Sequence, residues 1–353
     1  MARLPGVNQV AVMPDVHEGT TVPNGIVIAT EHRVYPQLVG ADIGCGISAI
    51  AFQETANRLR QPELRALLEK LKKAIPTLKQ PSAVANQHHQ SIRRLGNLSC
   101  DRLTQQAGRD GRYQLGTLGR GNHFLELSKD SSGRLWGVVH TGSRAMGQYI
   151  TDYHLNLASG LDDQPLPSLD IRLPEGQAYM SDMEWACKYA TANRQSVLNG
   201  LADLLENDFR IEVDDSSFID SPHNIATVQS HQDRNAIVHR KSANIASPCR
   251  PGLIAGSMLV GTKIVVGLGH PDSLQSSSHG AGRRLSRKQA AERLATREMI
   301  QSLRSVIWHD YLAKRLIDES PRSYRELHQV MAAQRDLVKS IDTLVPLLND
   351  KRP

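Results

Sequence analysis

Asp42 and Cys45 stand three residues apart in "LVGADIGCGISAIAF", residues 38–52, where glycines 40, 44 and 46 surround a carboxylate and a thiol. A thiolate is a soft ligand, a carboxylate a hard one, and imidazole lies between them. One site using all three suits a borderline divalent ion such as Mn, Fe, Co or Zn. The glycines would let the backbone bend so that both side chains reach one point. Taken alone, the stretch more readily describes a buried cysteine in a glycine-rich turn with a local aspartate hydrogen bond.

Three further stretches change that balance. "GRGNHFLEL" puts Asn122 and His123 after a glycine turn. "VVHTGSR" puts His140 at a strand end, with Ser143 and Arg144 behind it. "DSPHNIA" puts His223 after a proline. A lone histidine at a strand end is more often structural than a ligand. Three in turn contexts, beside an aspartate and a cysteine, make a ligand set if they converge. One tetrahedral ion needs four groups, so two ions sharing the Cys45 thiolate would account for the number of donors.

"SSSHGAGRRLSRKQ", residues 276–289, is the fourth stretch. His279 sits in a small-residue turn that admits a bulky ligand, followed by Arg283, Arg284 and Arg287. Ser286 and Gln289 form a capping pair for a helix whose free N–H groups favour an anion. A phosphate site and a solvated basic helix start describe this stretch equally well. The chain contains no GxxxxGK[ST] loop. A metal cluster beside an imidazole and basic groups suggests phosphoryl or nucleotidyl chemistry. The imidazole could attack phosphorus and carry it, or the metals could activate water. Residue types leave both outcomes open.

The elements that must position these residues are mixed. "NQVAVM", "GIVIAT", "ISAIAF", "NHFLEL" and "LWGVVH" read as strands, as do segments near 209–213, 235–239 and 253–268. Leu64, Leu67, Leu68, Leu71 and Ile75 make a helical face over 62–75 that Pro76 ends. Residues 80–115 are polar without clear period, and 160–178 read as a loop with prolines and aspartates. Ser181 and Glu184 suggest the start of a helix with Met183, Ala186, Ala190, Val197, Leu201 and Leu205 on one side. A helix from Ser286 would bury Ala291, Ala295, Met299, Leu303 and Val306, and a last helix would run from about Ser323 to Leu348. No repeat, low-complexity tract or βαβ rhythm is evident, so the expectation is α+β.

The bulk numbers set limits. The chain has 353 residues and a formal charge of +6, a mild excess that favours a polyanionic partner without proving one. Cys45, Cys100, Cys187 and Cys249 form no CxxC pair and suggest a reducing compartment. There is no signal-peptide pattern. The longest apolar stretch, 253–269, is interrupted by Ser257, Thr262 and Lys263. A cytoplasmic protein away from membranes is expected.

"MPDVHEG", "VGADIGCG", "GRGNHFLE", "HTGSR", "SPHNIA", "HRKSA" and "SHGAGRRLSR", in this order, resemble the RtcB family of RNA-splicing ligases. The resemblance implies one RtcB-type α+β domain over 1–353, with mixed sheets flanked by helices around a central metal and nucleotide cleft. It implies GTP, two Mn²⁺ ions, and the joining of RNA 2′,3′-cyclic phosphate or 3′-phosphate ends to 5′-hydroxyl ends. His279 would attack the α-phosphorus of GTP and hold GMP, with Asp15 orienting it. Asp42, Cys45, His123, His140 and His223 match the metal ligands, Cys45 bridging. Asn122 matches a contact to the GTP phosphates and Glu126 a reader of guanine. Ser257, Gly280, Ala281, Tyr324 and Lys351 would complete the nucleotide pocket. Arg144, Arg283 and Arg287 would meet RNA phosphates. The family often has proline where Glu18 stands, "HRKSA" replaces HRKGA, "IAGSMLVGTK" departs from a PGSMG pattern, and "KRP" replaces a lysine–glycine end. The chain also starts near its first motif, so the resemblance is to a compact branch. Some compact branches are associated with repair of cleaved RNA rather than tRNA splicing, sometimes beside a release-factor-like partner; the resemblance implies RNA repair or tRNA splicing on broken tRNA or rRNA ends, with an activator protein as a further expected partner. A metal-dependent RNA-end phosphoesterase is the alternative activity.

Overall fold

Antiparallel pairing organises the chain around two sheets. A computed structural model describes residues 1–161, 164–231 and 234–353. Val7–His17 and Asn24–Thr30 form a hairpin, and Arg234–Lys241 and Asn224–His231 extend it to four strands. The larger sheet runs, in spatial order, Pro251–Ala255, Thr262–Gly267, Val338–Asp350, Phe124–Lys129, Arg134–Thr141, Gly46–Thr55 and Val213–Pro222. Ile307–Trp308 adds a parallel pair to Val338–Asp350. Only short strands link the rest: Ala243–Ile245 pairs with Ser276–Ser278, just before His279.

Helices cover this larger sheet. Gln61–Ala74 buries Leu64, Leu67, Leu68 and Leu71, as its apolar spacing predicts. The Glu63 carboxylate accepts from the Arg60 N–H at its start. Pro174–Phe209 runs 36 residues and buries Met183, Ala186, Ala190, Val197, Leu201 and Leu205. Leu198 and Leu201 join Leu125, Leu127, Val139 and Leu348 in the main core. Each such side chain contributes roughly 1.5–3 kcal/mol on burial. The strands expected near the N-terminus, at "NHFLEL" and at "LWGVVH" all form, and 253–268 folds as a hairpin.

Four expectations need correction. The long helix begins at Pro174, where a proline is tolerated in the first turn, so Ser181 and Glu184 lie inside it and cap nothing. The helix beginning after Ser286 has the expected reciprocal cap, Ser286 Oγ accepting from Gln289 N–H and Gln289 Oε1 from Ser286 N–H. It ends at Arg293, however, and a second helix covers Thr296–Ser302. Ala291 and Ala295 are therefore exposed, while Met299, Leu303 and Val306 are buried. The segment 323–348 is not one helix: Leu327–Ala332 is a short helix and Val338–Asp350 a central strand. Finally, the segment 209–213 is not a strand: Phe209 ends the long helix, residues 210–212 form a connection, and the strand starts only at Val213. Residues 80–115 hold short helices, Ser82–Gln87, His89–Arg94 and Asp101–Gln106. The loop expected at 160–178 is interrupted by Leu169–Asp170 and closed by the helix at Pro174; its positions 162 and 163 lie outside the described residues.

Candidate active site

The Asp42–Cys45 turn is built by its backbone. Cys45 N–H donates to Asp42 O at 3.0 Å and Gly44 N–H to Asn224 O at 2.8 Å. Gly44 has φ +70°, and a Cβ there would sit 2.8 Å from Cys187 Cα, so only glycine fits. Arg194, fully buried on the long helix, donates to Gly44 O at 2.8 Å and Thr141 O at 3.0 Å while pairing with Asp220 at 2.7 Å. One guanidinium thus ties the cysteine turn to the strand end that carries His140. His223 N–H donates to Cys45 O at 2.8 Å, which brings the third stretch in.

The five expected ligands converge. Cys45 Sγ lies 3.3 Å from His140 Nε2 and 3.6 Å from His123 Nε2. His140 Nε2 is 3.3 Å from His223 Nε2, and His123 Nε2 is 3.1 Å from Asp42 Oδ2. Two groups result, Cys45–His140–His223 and Asp42–Cys45–His123, each with donor atoms within 4.8 Å of one another and both using Cys45. The set suits one or two divalent cations. Asp42 Oδ1 is buried without a hydrogen-bond partner, and hard, borderline and soft donors meet at one thiolate. His123 Nδ1 faces Leu118 O at 3.1 Å, which places its proton there and leaves Nε2 for a ligand bond. Burial, then neighbouring histidines, hold His140 and His223 well below the usual imidazole range, so both are neutral donors. Burial and then the Asp42 carboxylate push the Cys45 thiol well up; a bound cation would offset both effects.

His279 stands beside this cluster, its ring centroid 4.8 Å from that of His223. Asp15, wholly buried, accepts from His279 Nδ1 at 2.7 Å and from the N–H groups of His279 and Gly280 at 3.2 Å. Three donors on Oδ2 fix the ring and put its proton on Nδ1, leaving Nε2 as the free nucleophilic nitrogen. The approach to His279 is anchored as well. Arg240 donates to Ser276 Oγ at 2.8 Å and Leu274 O at 2.9 Å, and Gln334 accepts from Ser278 N–H at 2.9 Å.

A cleft of about 730 Å³ opens over His140 and His279, within the size range of small-ligand sites. Asn122, Glu126, Ser257, Gly280, Ala281, Arg283, Arg287, Tyr324 and Lys351 all line it. Glu126 accepts from Asn349 Nδ2 at 2.6 Å, and burial lifts its carboxyl to about 8. Arg144 is the exception among the expected residues. It turns away behind His123, 3.3 Å from Nδ1, with Nε donating to Thr117 Oγ1 at 3.2 Å. Motif reading passed over His17, whose ring stacks 6.2 Å from His279 although it lies in the quoted "MPDVHEG". It also passed over Arg194, a lone arginine within a helical run, and Glu319, in a segment without a motif.

Fold and site together define a class: an α+β enzyme with a cysteine–histidine ligand cluster, a carboxylate-held histidine and cations along one cleft wall. The chain matches the family model of tRNA-splicing ligase RtcB over residues 1–352. It is similar to the RNA-splicing ligase RtcB of Escherichia coli strain K12, 33% identical over 370 residues, covering 97% of this chain and 90% of that protein. The RNA-splicing ligase RtcB of Mycobacterium bovis is 28% identical, with 98% of both chains covered. The tRNA-splicing ligase RtcB of Thermococcus kodakarensis is 28% identical, covering 94% of this chain and 85% of the relative. The chain belongs to the RtcB family. No helix among the described residues is long and apolar enough to cross a membrane.

Proposed function

We propose that this chain is an RNA ligase that uses GTP and two Mn²⁺ ions to join RNA 3′-phosphate or 2′,3′-cyclic phosphate ends to 5′-hydroxyl ends. The observation that carries this reading is the Asp15–His279 pair set directly beside the ligand cluster. Asp42, Cys45, His123, His140 and His223 would hold the ions, which supply positive charge against the phosphates.

The chain's own residues do the rest. Asp15 keeps the proton on Nδ1, so His279 Nε2 attacks the α-phosphorus of GTP. The N–P bond forms as the bond to the bridging oxygen breaks and pyrophosphate leaves. Water first opens any 2′,3′-cyclic phosphate to a 3′-phosphate, and an oxygen of that 3′-phosphate then displaces the imidazole, taking GMP. The 5′-hydroxyl oxygen attacks the activated RNA phosphate, its proton is lost, and GMP leaves. Asn122 binds the nucleotide phosphates, and Glu126, Tyr324 and Lys351 surround the base. Arg283 and Arg287 meet the strand. Simple hydrolysis of RNA ends needs no such held imidazole, which favours ligation over a phosphoesterase.

The test is ligation of two matched fragments, one ending in 3′-phosphate and one beginning with 5′-hydroxyl, with GTP and Mn²⁺. A joined product that disappears in His279→Ala is expected. Phosphate release without joining, unchanged in His279→Ala, would establish the phosphoesterase instead.

A further inference from the structure

Glu319 occupies the point where the cations of the cleft wall meet. It is only 2% exposed and lines the cleft. Its Oε2 accepts from Lys351 Nζ at 3.0 Å and from the Tyr324 hydroxyl at 2.5 Å. Its Oε1 accepts from Arg287 Nη1 at 2.8 Å and Arg283 Nη1 at 3.2 Å. Arg283 also lies over the Tyr324 ring, 5.2 Å from its centroid, and the two residues pair through the backbone. Arg287 is further held by Asp318 and reaches toward the glycine turn before Asn122, 3.6 Å from where a Cβ on Gly121 would stand. The four partners of one carboxylate are thus the base-side pair and the strand-side pair of the proposed ligase.

We propose that Glu319 is a positioning residue that couples the nucleotide end of the cleft to its RNA end, Oε2 setting Lys351 and Tyr324 and Oε1 setting Arg283 and Arg287. The proposal rests on the ligase reading above. A buried carboxylate shared by three cations cannot change its bond to one without changing its hold on the others. An RNA phosphate that draws Arg287 off Oε1 leaves more of the carboxylate's charge to Lys351 and Tyr324. By linkage, a nucleotide that draws Lys351 off Oε2 leaves more of that charge to Arg283 and Arg287 and tightens their hold. Burial works to raise the Glu319 carboxyl, yet the Lys351, Arg287 and Arg283 charges hold it at about 2, so it stays an anion throughout.

The experiment is a double-mutant cycle read by covalent labelling of the protein with α-labelled GTP, without RNA. Half-saturating GTP and the maximal labelling rate are measured for wild type, Arg287→Ala, Glu319→Gln and the double variant. Glu319→Gln is expected to raise half-saturating GTP on the order of tenfold, more than it lowers the maximal rate. Arg287→Ala should shift half-saturation severalfold in the wild-type background and not in the Glu319→Gln background. Glu319→Asp, one methylene shorter, should recover part of the loss, and it carries the cycle if Glu319→Gln does not fold. Half-saturation within twofold of wild type, or effects that simply multiply, would overturn the coupling. A wild type that takes no label would instead sink the ligase reading itself.

Discussion

At His279 the proposed chemistry depends on a single held proton. Replacing Asp15 by Asn leaves the shape but removes the charge that stabilises Nδ1–H, and nucleotide transfer to the ring should fall by roughly 10²–10⁴ in single-turnover labelling. Cys45 belongs to both ligand groups, so Cys45→Ala should lower bound metal at both positions by elemental analysis, whereas His279→Ala should leave metal content intact. Gly142→Ala would set a Cβ 2.2 Å from Asp42 Oδ1 and should displace that carboxylate, lowering metal content as well. Glu126 supplies a pH test. Its folded carboxyl keeps a proton to about pH 8, against an unfolded value near 4.5. Between those limits the folded chain binds more protons than the unfolded one, so this group makes stability fall as pH rises. Glu126→Gln should flatten that part of the metal-free stability profile in thermal melts from pH 5 to 8. At this scale the sequence was informative: Asp42, Cys45, His123 and His279 are recognisable residue types in glycine turns, His140 stands at a strand end and His223 follows a proline. Arg194, Glu319 and the inward turn of Arg144 were not visible, because each is defined by partners distant in the chain rather than by its neighbours.

Among the elements, the strand Val338–Asp350 shows why local pattern fails. Leu337, Ile341, Leu344 and Leu348 recur at helical spacing, which invites a helix over 323–348. Pairing with Thr262–Gly267 on one side and Phe124–Lys129 on the other overrides that period, leaving Ile341 exposed and Leu344 and Leu348 buried. This strand also delivers Asn349 to Glu126 and Lys351 to Glu319. Leu348→Ala should cost about 2–5 kcal/mol in denaturant unfolding; a loss under about 1 kcal/mol would argue that the strand is not in the core. The hairpins and the helix Gln61–Ala74 were legible because strong alternation or a clean apolar face coincided with proline and glycine boundaries. The start of the long helix was not, because a serine–glutamate pair mimics a cap in mid-helix.

Across the whole molecule, two sheets and the long helix bring residues 15, 42, 45, 123, 140, 223 and 279 together, with His140 and His279 lining the cleft. The formal charge of +6 is small, so RNA affinity should depend on the local cations. Arg287→Ala should weaken binding and lower the slope of log affinity against log salt by about 0.7–0.9. The most direct measurement is to incubate the intact protein with α-labelled GTP and Mn²⁺ and map the modified residue by mass spectrometry. One GMP on His279, absent in His279→Ala, is expected. Efficient ligation by His279→Ala, or a wild type that ligates with its label on another residue, would contradict it.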